Sequence, residues 1–174
     1  MSHPSFPHQI TLKAIGFQWM IQFERTNPEG FIYGQMALQM ETAHQNRSLG
    51  ETRFTTSYRD LVRLIDYFDH HVASLVKDSG YHSDVFAPYE LDFQVQALCG
   101  EAESFMDGEF TLRVMLAVDQ TTDGTTVYAG VEAVVDVAQS SAFVTELREL
   151  LALWSSPQGN WHTNQPNEVI HTQA

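Results

Sequence analysis

The sequence predicts an α+β fold: a six-stranded antiparallel sheet with two helices packed on one face, laid out as two βββα halves. Three observations lead there. Several stretches alternate apolar and polar residues with period two, as half-buried strands do. Two others repeat apolar residues at three and four, giving helices with one apolar stripe. Asp-Gly dipeptides at 107–108 and 123–124 mark tight hairpins, which pair strands antiparallel.

The elements follow in order. Residues 1–8 hold two prolines among polar residues and are expected to be a flexible N-terminus. Residues 9–155 form a single α+β domain, since no internal stretch has the composition of a linker. In 10–24, Phe17, Trp19, Ile21 and Phe23 fall on one side and Gln18, Met20, Gln22 and Glu24 on the other; this reads as one strand, with Gly16 marking a bulge or a bend. Residues 26–30 turn, because proline presets one backbone angle and glycine allows the reversal. Residues 31–43 set Ile32, Met36, Leu38 and Met40 against Tyr33, Gln35, Gln39 and Glu41; a turn over 44–50 and a short strand over 51–57 complete the first three.

Ser57 followed by Asp60 is a helix start: the hydroxyl caps a backbone N–H and the carboxylate suits the positive helix end. Leu61, Leu64, Ile65, Phe68, Val72 and Leu75 then form the stripe. A loop over 77–90 leads to the second half. There, Leu91, Phe93, Val95 and Ala97 alternate with Asp92, Gln94 and Gln96, and Phe110, Leu112, Val114, Leu116 and Val118 share a face. A strand over 125–137 precedes a helix over 138–154 with Phe143, Leu147, Leu150, Leu151 and Trp154 on one side. Residues 156–174, rich in Asn and Gln, are expected to be a flexible polar tail.

Charge narrows the function. The formal net charge of −13, from 22 acids against 9 bases, opposes direct nucleic-acid binding, which needs cations to displace phosphate counterions. It also opposes docking on an anionic membrane and favours attraction of a basic partner. The lone Cys99, the lack of a signal-peptide pattern and the lack of a long apolar run predict a cytoplasmic protein.

The stretch "DYFDHH" (66–71) raises the question of a metal. At about 100° per residue, Asp66 and His70 share the outer helix face, while Asp69 and His71 lie on opposite flanks of the stripe. Only two ligands converge, whereas a tetrahedral zinc site takes three or four; His82 and Asp84 are the nearest others in sequence. A solvated face carrying an Asp–His pair is the expectation, with no metal and no cofactor. Cys99 has Glu101 and Glu103 close by, the wrong setting for a thiolate, so a structural cysteine is expected. No phosphate-binding glycine pattern and no nucleophile elbow is present, so no catalytic residue is assigned and the protein is read as a non-enzyme.

Two surfaces remain. Glu90, Asp92, Glu101, Glu103, Asp107 and Glu109 concentrate acid in one region, with Asp119 nearby and Arg113 the only base among them. That acid serves either solubility or recognition of a cationic protein. Gln18, Gln22, Gln35, Gln39, Gln94 and Gln96, with Met20, Tyr33, Met115 and Tyr128, make a broad, nearly neutral sheet face. Glu90, Asp92, Glu101, Glu103, Asp107, Glu109, Gln94 and Gln96 are the candidate partner-binding residues.

The order "YELDFQVQA", then "GEFTLRVMLAVDQTTDGTTVYAGVEAVVDV", then "SSAFVTELRELLALW" resembles WapI-type immunity proteins, with "ETRFTTSYRDLVRLIDYF" as the matching strand-then-helix of the first half. The resemblance is one of order and pattern over about residues 8–155. It implies a small cytosolic antidote that binds and neutralises a cognate toxin such as a nuclease, which the acidic charge suggests is a basic protein, and it carries over no catalytic residue. The alternative is a small-molecule or regulatory binding domain; a third class is an enzyme built on an unfamiliar pair of carboxylates.

Overall fold

The structure, a computed structural model, describes residues 8–27, 29–41 and 46–155. The predicted tail over 156–174 and all but the last residue of the predicted N-terminal segment lie outside the described residues. The α+β class holds, but the chain forms two antiparallel sheets, of four and three strands, in place of one sheet of six.

The extra strand comes from the first apolar run. Residues predicted as one strand fold into a hairpin of β1 (His8–Ala14) and β2 (Phe17–Thr26). Gly16 takes a φ of 84°, a conformation open to glycine at little cost, and the chain reverses there. The buried positions show the reversal: Ile10 and Leu12 are even-numbered, whereas Phe17, Trp19, Ile21 and Phe23 are odd. β3 (Phe31–Glu41) and β4 (Asn46–Ser57) complete the first sheet in the order β1-β2-β3-β4. β4 begins inside the stretch predicted as a turn over 44–50; residues 42–45 lie outside the described residues.

α1 (Tyr58–Leu75) starts where its cap requires. Ser57 Oγ accepts from the Asp60 backbone N–H at 3.1 Å. The whole predicted stripe is buried, and His71 is buried with it. The second sheet comprises β5 (Phe93–Ser104), β6 (Asp107–Gln120) and β7 (Thr126–Asp136), followed by α2 (Val137–Ser155). The β5–β6 turn is Phe105–Met106, so Asp107–Gly108 opens β6 rather than forming the turn; Asp123–Gly124 lies in the β6–β7 connection as expected.

The free edge of β5 is occupied by groups outside the strands. Phe86 exchanges backbone hydrogen bonds with Val95 at 2.8 and 2.9 Å, and the Ser83 N–H donates to the Ala97 carbonyl at 3.0 Å. That edge of β5 is therefore filled by the loop segment 83–86. On β4, the Thr55 N–H donates to the Asp92 carboxylate at 2.8 Å. Elsewhere the sheets touch through Ile15, whose N–H donates to the Val134 carbonyl of β7 at 2.9 Å.

Both sheets and both helices bury their apolar faces in one core. Trp19 of β2 is fully buried; its ring lies 5.7 Å from that of Phe93 on β5 and 5.5 Å from that of Phe143 on α2. Phe143 in turn meets Phe68 of α1 at 5.8 Å. Burying four such rings is among the larger contributions to the fold, roughly 1.5–3 kcal/mol for each large side chain removed from water.

Candidate functional site

β6 runs between β5 and β7, and its register decides where the acid collects. Glu109 lies opposite Glu101 on β5 and opposite Asp136 on β7. Three exposed carboxylates thus form one row across the outer face at one end of the three-stranded sheet. Glu103 and Asp107 flank that row next to the turn, where Phe105 and Met106 are themselves exposed. Ser141 of α2 donates to the Phe105 carbonyl at 2.8 Å and so ties the turn to the helix. Asp136 has a second role, accepting from the Ala138 N–H at 2.7 Å as α2 begins. Like charges placed opposite one another in a sheet repel, and the nearest base on that face, Arg113, is already paired with Glu132 and Gln96.

The other predicted partner-binding residues lie elsewhere. Glu90 and Asp92 precede β5 at its opposite end, about 30 Å from Glu101 along an extended strand. Asp92 is half-buried; burial raises its carboxyl above the usual carboxylate range, and the Thr55 N–H opposes that shift. Gln94 and Gln96 sit between the two ends on the outer face, opposite Met115 and Arg113.

The single amide face expected from the sequence is divided between the sheets. On the four-stranded sheet, Gln22 pairs with Gln9 and Gln35, and Gln18 with Lys13 and Gln39, with Met20 between the two rows. Gln94, Gln96, Met115 and Tyr128 belong to the other sheet, where the Tyr128 hydroxyl donates to the Leu91 carbonyl at 2.6 Å.

The Asp–His residues diverge. Asp69 pairs with Arg148 of α2. His71 is fully buried, its Nδ1 3.0 Å from Ser83 Oγ and its ring 4.7 Å from that of Phe110. Burial pushes His71 down to about 4, the neighbouring His82 and His70 add to the shift, and the Leu98 backbone offsets it only in part. Asp66 and His70 are exposed and line a recess together with Asp84. Among the described residues no group of three or more His, Cys, Asp or Glu is placed to hold a metal ion. Cys99 falls in the β5 bulge between Ala97 and Gly100 and is exposed, so it does not pack the core as a structural cysteine would.

Sequence reasoning missed the recesses themselves. Two adjoin along α1 and share Arg63. One, of about 330 Å³, is lined by Phe31, Thr56, Ser57, Arg59, Asp60, Tyr89 and Glu90. The other, of about 430 Å³, lies between α1 and the segment 81–86. Tyr67 forms part of the second; its hydroxyl accepts from the Ala97 N–H at 2.7 Å, and burial pushes its pKa up to about 12. The one sequence sign of the first recess was Arg59, a cation in the first turn of a helix, where the dipole favours acids.

No protein-family model matches the chain, and no curated protein sequence matches it. Among solved structures, one titled as that of the plant transcriptional regulator PBF-2 is similar at a TM-score of 0.37 and 10% identity, over 84% of this chain and 80% of that one. A likeness at that level says nothing of what this chain binds. Among the described residues no helix is long and apolar enough to cross a membrane.

Proposed function

We propose that the protein is a non-catalytic binding protein of the cytoplasm that neutralises a basic protein toxin through its acidic surface, in the manner of the WapI-type immunity proteins its sequence pattern resembles. The observation that carries this reading is the row Glu101–Glu109–Asp136. Three carboxylates opposed across a sheet cost the free protein stability, and a cationic partner relieves that cost on binding. Glu103 and Asp107 widen the acidic field, and Phe105 and Met106 supply apolar contact beside it. Such a field raises the association rate and selects against acidic partners. Glu90, Asp92, Gln94 and Gln96 extend the surface along β5.

The test pairs the protein with a basic toxin encoded beside its own gene. Association should slow by about tenfold or more as salt rises through the range where the Debye length falls below about 5 Å. Glu101→Lys with Glu109→Lys should abolish protection of cells that express the toxin. A salt-independent rate, or full protection by the double variant, removes this reading. The second reading, a small-molecule or regulatory binding domain, is favoured by the recesses beside α1.

A further inference from the structure

The first recess along α1 has features that the acidic surface does not explain. Thr56 contributes to its lining and is 2% exposed, yet among the described residues the Thr56 hydroxyl has no hydrogen-bond partner. A buried polar group left unpaired destabilises a fold, so a hydroxyl kept beside a recess points to a ligand that completes it. The recess opens at the N-terminal end of an 18-residue helix, where the aligned peptide dipoles favour negative charge.

Arg59 stands in the first turn of that helix, against the dipole, and has no ion-pair partner among the described residues. Of the other charges that line the recess, Asp60 and Arg63 pair with each other. Asp60 accepts from the Ser57 hydroxyl at 2.9 Å and pairs with Arg63 at 2.7 Å. The Arg63 guanidinium also lies over the Phe86 ring at 5.3 Å. Glu90 remains at the rim and is exposed. Two rings border the same recess: Tyr89, at 86% exposed, and Phe31, at 37%. Exposed aromatic faces beside a cation suit a flat ligand with a negative end.

We propose that this recess binds a small organic anion, a phosphate or carboxylate carried on a planar ring, with Arg59 and the Thr56 hydroxyl as its polar contacts and Tyr89 against its ring. The site is separate from the acidic row and stands or falls without it.

The experiment titrates the full chain with phenyl phosphate, with benzoate and with neutral benzyl alcohol, and follows backbone amide resonances. At least one anion saturates, with shifts centred on Thr56–Arg63 and Tyr89–Glu90, and the tighter of the two identifies the headgroup. Arg59→Gln and Thr56→Val each weaken binding about tenfold, the usual effect of removing a hydrogen bond to a charged group. Arg59 is exposed, so its variant keeps the fold even if the Thr56 variant does not. The site is refuted if neither anion saturates, if benzyl alcohol produces the same shifts, or if Arg59→Gln binds as tightly as the parent.

Discussion

His71 of α1 and Ser83 of the segment before β5 share a hydrogen bond of 3.0 Å, and this buried pair ties the helix to the strip that covers the edge of β5. The imidazole is neutral there. Its pKa is lowered from 6.5 to about 4, so between those values the unfolded chain binds the proton and the folded chain does not. Stability from the neutral ring is whole above about pH 6.5 and is lost as pH falls through about 4, up to roughly 3 kcal/mol. His71→Asn cannot titrate in this range. Urea unfolding from about pH 7 to about pH 4.5 should show a smaller loss of stability in the variant than in the parent. Equal losses would show that His71 does not set the slope.

Trp19 joins the two sheets to α2, with ring contacts to Phe93 and Phe143. Trp19→Ala should cost about 3–5 kcal/mol, because the surrounding rings, held by β5 and α2, cannot close the cavity. Denaturant midpoints measure it. A loss below about 1 kcal/mol would mean the core repacks freely.

Gly16 and Gly34 make a contrast. A Cβ at Gly16 meets nothing within 4 Å, so Gly16→Ala suffers only its φ of 84° and should cost about 1–2 kcal/mol. A Cβ at Gly34 would sit 2.2 Å from the Gln22 carbonyl oxygen and 2.7 Å from the Phe54 ring. Gly34→Ala should therefore destabilise well beyond Gly16→Ala, since both neighbours belong to the packed sheet. Thermal unfolding of the two variants orders them, and the reverse order would contradict the packing described.

Glu109 lies between Glu101 and Asp136. Glu109→Gln removes the central charge and should raise stability by about 0.2–1 kcal/mol at low salt, with the gain shrinking as salt is added. Paired unfolding curves at low and high salt test this. A destabilised variant at low salt would show that the row is not repulsive.

Most inward-facing residues were legible in the sequence because periodicity is local, but Leu91, which precedes β5 at a φ of 57°, and Val118, at the β6 register shift, are exposed against the pattern. Phe17, Trp19, Ile21 and Phe23, then Phe93, Val95 and Ala97, and the α1 stripe are all buried. The number of strands depended on one turn: Gly16 breaks the pattern, but a bend and a reversal look alike until the partner residues are known. The division into two sheets was not legible. It depends on how β4 meets β6 and β7 and on backbone hydrogen bonds of the segment 83–86 along β5, relations between segments far apart in the chain that local periodicity does not record. The row at Glu109 needed the register of three strands. The recess at Thr56 needed residues distant in the chain, of which only the position of Arg59 left a trace.

The partition of the strands has one more effect. The amide rows around Gln22 and the carboxylates around Glu109 decorate separate pleated walls that share one interior and are tied at Ile15–Val134 and Thr55–Asp92. Side chains on either exterior can be exchanged without moving the hidden contacts that support the opposite one. Evolution can therefore retune what one wall meets while leaving the other as it was.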